Sequence, residues 1–244
     1  MRYKLLLEYL GSGFAGWQAQ PGERTVQGEL ERAISTIVRA PVRVVGASRT
    51  DAGVHATGQV AHVDLAEPLD SHRLLAGVSA LAGPDLAVRS VEEAPADFHA
   101  RYSARGKRYA YRILARVSPS PLLGAICWHV PVPLDVEAMR TAAGHLVGRR
   151  DLSAFGKAGG PSRDPVRNLE ELSLERQGDL ILVMLVADAF LYGMARAIVG
   201  TLVEVGRGAC LPESIPDILA GRDRSSAGPA APAAGLCLEE VFYP

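Results

Sequence analysis

The residue of this chain best placed to do chemistry is Asp51, an aspartate in a glycine-containing connection. It lies in residues 46–64, GASRTDAGVHATGQVAHVD, between a small hydroxyl residue and Ala52-Gly53, so little bulk would shield its carboxylate from a ligand. A carboxylate attacks best when it is ionised but poorly hydrated, and a guanidinium such as that of Arg49 helps to keep it ionised. Because Asp before Ala-Gly also suits an Asx-turn, both a nucleophilic and a structural role stay open.

A second stretch, residues 99–116, is cationic and aromatic and contains no acidic side chain. Uncompensated cations interleaved with rings suit phosphates and unstacked bases, which indicates nucleic-acid binding. A charged surface strand or a site for an acidic small molecule would use the same residue types. The side chains concerned are Arg101, Arg105, Lys107, Arg108, Arg112, Arg116, Tyr102, Tyr109 and Tyr111.

A third candidate is Arg196, which lies in the middle of an apolar segment, residues 190–205. The apolar side chains are spaced around most of a helix circumference, which predicts a largely buried helix. A buried arginine needs a partner. That partner is either Glu204 or another carboxylate, in a structural ion pair, or Asp51, in a functional one.

Strand and helix patterns alternate along the chain in the order needed to position these residues. In the first half, strands at 3–9, 42–45, 60–63 and 86–91 enclose helices that start after Thr25 and near Ser71. This β-α-β-β-α-β order is the ferredoxin-like, or split βαβ, arrangement. The same order returns in strands 107–114, 169–174, 180–186 and 236–243, with helices after Asp135 and at 190–205.

We therefore predict an α+β protein made of two ferredoxin-like halves, residues 1–104 and 105–244, with a central, mostly antiparallel sheet. The active-site cleft is expected between the halves. The first half would contribute the Asp51 loop, and the second would contribute Tyr109 and Arg196.

Composition limits the classes of function. A net charge of -1 and a pI near 6.6 give no overall attraction to a polyanion, so nucleic acid must be bound by charge concentrated locally. The 3 cysteines and 6 histidines lack the short spacings of metal sites or a disulfide framework, which predicts no metal. No apolar run reaches membrane-spanning length, and we expect a cytoplasmic protein that does not associate with a membrane.

Two glycine-rich stretches raise other possibilities. Residues 11–16, GSGFAG, match the glycine spacing of a dinucleotide-binding fingerprint, but Trp17 to Gly22 follow where a helix should open onto the pyrophosphate. We therefore reject dinucleotide binding. The loop at 156–160 has Arg149, Arg150, Lys157, Arg163 and Arg167 around it, and it is either an RNA-facing loop or a flexible surface loop.

Together these motifs closely resemble the tRNA pseudouridine synthase A family. The similarity includes residues 49–55, RTDAGVH, followed by Gly58-Gln59, and residues 107–112, KRYAYR. It extends to residues 8–18, 98–104 and 189–206, and so reaches from one end of the chain to the other. The chain departs from the family pattern at Leu10, Ser79, Gly193, Ala195 and Ala197.

The resemblance implies that Asp51 is the nucleophile, that Arg196 faces it and that Tyr109 lies against the target base. It implies isomerisation of uridine to pseudouridine at positions 38–40 of the anticodon stem-loop of tRNA, without a cofactor, by a homodimer. We expect four basic residues to bind the substrate: Arg49, Arg101, Lys107 and Arg108. Two other classes remain: a glycosidase-like or nucleoside-processing hydrolase, which needs a second carboxylate, and a catalytically silent RNA-binding module.

Overall fold

The structure, a computed structural model, describes residues 1–157 and 164–244. Residues 158–163, which include Arg163 and part of the glycine-rich loop 156–160, lie outside the described residues. Backbone contacts group the chain into two compact units, Met1–Arg105 with Cys237–Pro244, and Gly106–Leu236. Each unit combines helices with a mostly antiparallel sheet, which confirms the α+β class. The domain boundaries inferred from the sequence stay a prediction.

The first unit contains the predicted β-α-β-β-α-β order. Its strands lie in the order β4-β1-β3-β2, and every neighbouring pair is antiparallel, as in the split βαβ arrangement. Buried and less buried side chains alternate along the first strand, with Leu5 and Leu7 fully buried. The elements are β1 (Arg2–Tyr9), α1 (Val26–Val38), β2 (Val44–Gly46), β3 (His55–Asp64), α2 (Ser71–Leu81) and β4 (Leu86–Ala94).

The second unit has a sheet in the order β5-β9-β8-β7, with antiparallel neighbours, and β6 pairs with β5 in parallel. Gly178, with φ 63°, lies in the hairpin turn between β8 and β9. The elements are β5 (Gly106–Ala115), β6 (Trp128–Val130), α3 (Val136–Gly144), β7 (Gly148–Asp151), β8 (Val166–Gln177), β9 (Leu180–Ala187), α4 (Met194–Gly206) and α5 (Ile215–Gly221).

The last strand, β10 (Leu236–Phe242), returns to the first unit. Its Cys237 and Leu238 pair in parallel with His55 and Ala56 of β3. The strand β3 therefore begins five residues before the apolar run that predicted it. That start depends on a partner almost two hundred residues away, which local periodicity does not record.

Helix boundaries follow local chemistry more closely. The hydroxyl of Thr25 accepts a hydrogen bond from the Gly28 amide at 3.2 Å, and the Asp135 carboxylate accepts one from the Ala138 amide at 3.0 Å, so both predicted N-caps are confirmed. The long apolar helix α4 begins later than predicted, because Gly193 at its N-cap has φ 73°. Phe190 consequently lies before the helix. No helix in the described residues is long and apolar enough to cross a membrane.

The histidine His62 is buried on β3, where only 4% of its surface is exposed. Burial first, and then the positive charge of Arg2, lowers its pKa to about 4 from the ordinary 6.5. Its Nδ1 accepts the Ala100 amide at 3.2 Å, which requires an unprotonated nitrogen there. The folded state therefore keeps this ring neutral.

We expect the chain to lose stability as the pH falls from about 6.5 towards 4. In that window the unfolded chain binds a proton at His62 and the folded chain does not. The variant His62→Asn keeps an acceptor near Nδ1 and cannot titrate. Urea unfolding at several pH values should show the free energy of unfolding of the wild type falling relative to that of His62→Asn between about pH 6.5 and 4. Above pH 6.5 the difference between the two proteins should be constant. His72→Asn, at an exposed histidine, is the control, and parallel profiles of wild type and His62→Asn would contradict the assignment.

Candidate active site

Asp51 is the first residue of a tight turn that leads into β3. Its carbonyl accepts a hydrogen bond from the Val54 amide at 3.1 Å, and Gly53 has φ 80° whereas Ala52 has no positive φ. This combination defines a type II turn, which needs glycine at its third position. Asp51 itself is half-buried, and Ala52 beside it is exposed. The Asp-Ala-Gly order thus builds a turn that leaves the aspartate at the surface of the unit.

Buried hydrogen bonds hold the residues just before this turn. The Trp17 amide donates to the Thr50 carbonyl at 3.0 Å, and the Thr50 hydroxyl lies 2.9 Å from the Tyr9 hydroxyl. Gln59, which is fully buried, donates from Nε2 to the Ser48 carbonyl at 2.8 Å and accepts the Ser48 amide at 3.3 Å. Displacing the loop would leave these groups buried without partners, which costs about 1–3 kcal/mol each.

The glycines that mimic a dinucleotide fingerprint pack against the same loop. A Cβ on Gly11 would lie 2.0 Å from the Val54 carbonyl oxygen, and one on Gly16, where φ is 95°, would lie 2.8 Å from the Thr50 carbonyl oxygen. The Gly11 amide also donates to Nδ1 of His55 at 3.0 Å. The spacing of these glycines therefore allows their backbone to approach residues 50–55 closely. The helix α1 begins only at Val26, so no helix opens at these glycines.

In the second unit, Tyr109 and Tyr111 lie on one face of β5, as their spacing predicts. Tyr109 is 5% exposed, and its ring meets that of Phe190 edge to face at 4.8 Å. The Tyr111 hydroxyl donates to the Pro232 carbonyl at 2.7 Å. Burial raises the pKa of Tyr111 far above its usual value, and the positive charge of Arg196 opposes that rise.

Arg196 is half-buried on α4 and bound to a segment that runs along the helix. Its Nε donates to the Ala231 carbonyl at 2.7 Å, and its own carbonyl accepts the Ala231 amide at 2.9 Å. Gly200 allows this approach, since a Cβ there would lie 1.7 Å from the Pro229 carbonyl oxygen. The Gly-, Ala- and Pro-rich residues 227–235 thus form a strap that fixes the arginine at its Nε.

Glu204, the alternative partner of Arg196, forms an ion pair with another residue. Its carboxylate binds Nη1 of Arg207 at 3.0 Å. Eight residues along an α-helix correspond to a rise of about 12 Å, so Glu204 lies more than two turns from Arg196. This spacing argues against a structural ion pair between Arg196 and Glu204.

The other predicted binding residues are distributed over both units. Arg49 is exposed two residues before Asp51, and Arg101 is exposed beyond the other end of β3. Lys107 and Arg108 are half-buried neighbours on β5, so only Lys107 shares the face of Tyr109. Among the described residues, no group of three or more His, Cys, Asp or Glu side chains could hold a metal ion.

Sequence reasoning missed the residues that position the candidates. Tyr9, Thr50 and Gln59 fix the Asp51 loop, and Pro232 and Ala231 fix Tyr111 and Arg196. Tyr9, Thr50 and Gln59 lie within the motifs of the family resemblance, but their spacing indicated no positioning role.

One departure from the family pattern has a structural consequence. Gly193 leaves room for Lys157, whose stem lies 3.1 Å from the position that a Cβ would occupy. The Lys157 ammonium lies 5.6 Å from the ring centre of Tyr192. That distance is typical of a cation–π contact.

Comparison with known proteins places the chain in a class. The family model described as tRNA pseudouridine synthase matches residues 6–103 and 142–244. A tRNA pseudouridine synthase A of Methylobacterium sp. (strain 4-46) is 49% identical over 100% of this chain and 98% of its own length. A protein of that name from Myxococcus xanthus is 45% identical over 99% of this chain and 92% of its own length. Another from Acetivibrio thermocellus is 42% identical over 98% of this chain and 98% of its own length.

These matches run the length of the chain and include the Asp51 turn and α4. The chain belongs to the tRNA pseudouridine synthase family. A solved Cbf5-Nop10-Gar1 complex contains a chain that is similar over 96% of this one and 57% of its own length, with 11% identity and a TM-score of 0.38. A TM-score of that size supports no further conclusion.

We expect Gly16→Ala to displace the Asp51 loop, because its Cβ would lie 2.8 Å from the Thr50 carbonyl oxygen. Gly22→Ala is a matched control: its φ of 78° imposes similar backbone strain, but nothing lies within 4 Å of the new Cβ. Urea unfolding should show both variants losing about 1 kcal/mol from the positive φ, and Gly16→Ala losing clearly more. Trypsin should cleave after Arg49 faster in Gly16→Ala only. Equal losses in both variants would show that the close approach does not hold the loop.

Proposed function

We propose that this chain isomerises uridine to pseudouridine at positions 38–40 in the anticodon stem-loop of tRNA, with Asp51 as the nucleophile. Membership of the tRNA pseudouridine synthase family supports the reaction and the class of substrate. The observation that best supports this role for Asp51 is its place in a fixed turn. A half-buried carboxylate follows a loop whose buried polar groups are all engaged, so its position is fixed before substrate arrives.

The reaction balances without an oxidant, a reductant or a co-substrate. The bond from uracil N1 to ribose C1′ breaks, a bond from C5 to C1′ forms, C5 loses a proton and N1 gains one. A carboxylate nucleophile can attack ribose C1′ or uracil C6, and the proposal covers both. We propose that neither a metal nor a cofactor takes part.

The other candidates have complementary roles in the proposal. Arg196 keeps the Asp51 carboxylate ionised and oriented through its positive charge, since the Ala231 carbonyl fixes the guanidinium at its Nε. Tyr109 contacts the target base after the base has left its stack, a step that costs a few kcal/mol. Arg49, Arg101, Lys107 and Arg108 offset this cost through phosphate contacts.

Asp51→Asn should abolish release of tritium from tRNA labelled at uracil C5, because the substitution keeps the side-chain size and removes the attacking charge. We expect residual activity below about 1% of wild type, a loss typical of removing a covalent nucleophile. Asp135→Asn is the control, since asparagine caps a helix as well as aspartate does. The role of Asp51 is wrong if Asp51→Asn retains substantial activity, and the proposed reaction is wrong if the wild type releases no tritium.

Arg196→Ala should lower kcat by about 100-fold or more, since a preorganised charge facing the reacting groups is removed. Arg196→Lys separates charge from geometry, because lysine keeps the charge but cannot donate from Nε to Ala231 while facing a carboxylate in the same plane. We expect single-turnover rates in the order wild type, Arg196→Lys, Arg196→Ala. A rate for Arg196→Ala close to that of wild type would refute the pairing.

We also propose that the working unit is a homodimer in the cytoplasm. One chain with a net charge of -1 offers only local basic surface to a large polyanion, and a symmetric pair would double it. Residues 116–127, which connect β5 to β6, expose Val117 by 82% and Leu122 by 90%. Apolar side chains this exposed are suited to a subunit interface.

Sedimentation should show a particle of twice 25.9 kDa for the wild type. The double variant Val117→Glu, Leu122→Glu should sediment as a monomer, because charges would be buried at the interface. Leu211→Glu, at a leucine that is 72% exposed elsewhere, should leave the dimer intact. A fully active wild-type monomer would contradict the proposal.

A further inference from the structure

A column of aromatic rings runs from the core of the first unit to solvent, beyond the C-terminal end of β3. Its inner ring is the buried His62, and the His99 ring lies 4.8 Å from it, centre to centre. The outer ring is Tyr102, whose centre lies 4.3 Å from that of His99 at a tilt of 34°. Tyr102 is 77% exposed, so the outer face of the column meets solvent.

Local hydrogen bonds fix the outer ring in place. Nδ1 of His99 accepts the backbone amides of both Arg101 and Tyr102, each at 3.2 Å. The Ser103 hydroxyl accepts the His99 amide, and the Ser103 amide donates to the His99 carbonyl, both at 2.9 Å. Single exposed aromatic residues are ordinary on protein surfaces. This one differs because a closed turn and a supporting ring orient it.

Two arginines follow His99 in the chain, and one exposed acidic residue, Asp97, precedes it by two residues. The Arg101 guanidinium lies 5.6 Å from the Tyr102 ring centre, and Arg105 is exposed nearby in the chain. Neither arginine pairs with a carboxylate within the part of the chain that the structure describes. The acidic residue at the end of β3, Asp64, is held by Arg2 through two hydrogen bonds of 2.8 and 2.7 Å.

A solvent-facing ring beside the Arg101 guanidinium has the chemistry that binds a nucleotide of single-stranded RNA. The base stacks on the ring, and the arginine binds an adjoining phosphate. Tyrosine and arginine are also enriched at protein–protein interfaces. The proposed function, which requires bound tRNA, favours RNA over a protein partner.

The column is remote from the candidate nucleophile. The Asp51 turn precedes the first residue of β3, His55, whereas the column begins at His62. A strand rises about 3.3 Å per residue, which separates the two places by roughly 20–25 Å. A base stacked on Tyr102 therefore belongs to a nucleotide other than the one that reacts.

We propose that Tyr102 and Arg101 form a stacking platform for an unpaired base of the tRNA substrate, away from the target uridine. This inference rests on the proposed function for the identity of the RNA. Its contribution is to binding, so it affects the dissociation constant for tRNA and leaves the chemical step unchanged.

The test measures tRNA binding by the full-length chain at several salt concentrations. Tyr102→Ala should raise the Kd about 10-fold without changing its salt dependence, because stacking involves no counterion release. Tyr102→Phe keeps the ring and should bind as wild type. Arg101→Ala should weaken binding and reduce the slope of log Kd against log salt by about 1. Leu211→Ala, at another exposed apolar residue, should change neither quantity.

Abasic substitutions in the tRNA identify the stacked nucleotide. One abasic position outside the target site should weaken wild-type binding by the same factor as Tyr102→Ala, with no further loss when the two changes are combined. The single-turnover rate of Tyr102→Ala at saturating tRNA should stay within about twofold of the wild-type rate. This is expected when an interaction is equally strong in the ground state and the transition state.

Three results for Tyr102→Ala would overturn the platform. The first is a Kd for tRNA equal to that of wild type. The second is weaker tRNA binding together with a change in sedimenting mass, which would indicate a protein contact, and the third is a lower rate at saturating tRNA, which would place Tyr102 at the target base. If the wild type bound tRNA through Tyr102 but released no tritium, the proposed function would fail and the platform would stand.

Discussion

The candidate active site depends on one close approach between backbone segments. Residues 11–17 pass so near to residues 50–54 that no side chain fits at Gly11 or Gly16. The approach lets the Trp17 amide reach the Thr50 carbonyl, and it brings the Tyr9 hydroxyl to the hydroxyl of Thr50. Because these polar groups are buried, they form their hydrogen bonds only when the two segments are in contact. The position of Asp51 follows from that contact.

In the second unit, the strap of residues 227–235 positions Arg196. Residues 227–235 lie against α4, where Gly200 lets the Pro229 carbonyl approach the helix backbone and the Thr201 hydroxyl accepts the Gly228 amide at 2.9 Å. Arg196 is bound by this strap through its side chain and its backbone. In both units a candidate residue is positioned by backbone groups of a distant segment, which are less easily altered by substitution than side chains.

Local patterns predicted much of this architecture. The helix starts after Thr25 and Asp135 and the alternation in β1 depend on neighbouring residues, and they were confirmed. The motif around Asp51 also predicted a connection between strands. The early start of β3 and the strand β6 depend on pairing with distant segments, so no local period records them. The late start of α4 comes from the positive φ of Gly193, and glycine alone does not reveal which conformation it adopts.

The place of β10 has a consequence for biosynthesis. This strand completes the first unit beside His55, yet it is made only after the whole second unit, Gly106–Leu236. At translation rates of about 5–20 residues per second, the edge of β3 next to the Asp51 turn waits on the order of ten seconds for its partner. An unpaired strand edge can pair with other nascent chains during that delay. The edge of β3 beside the Asp51 turn is therefore open to pairing with other chains until Cys237 and Leu238 have been made.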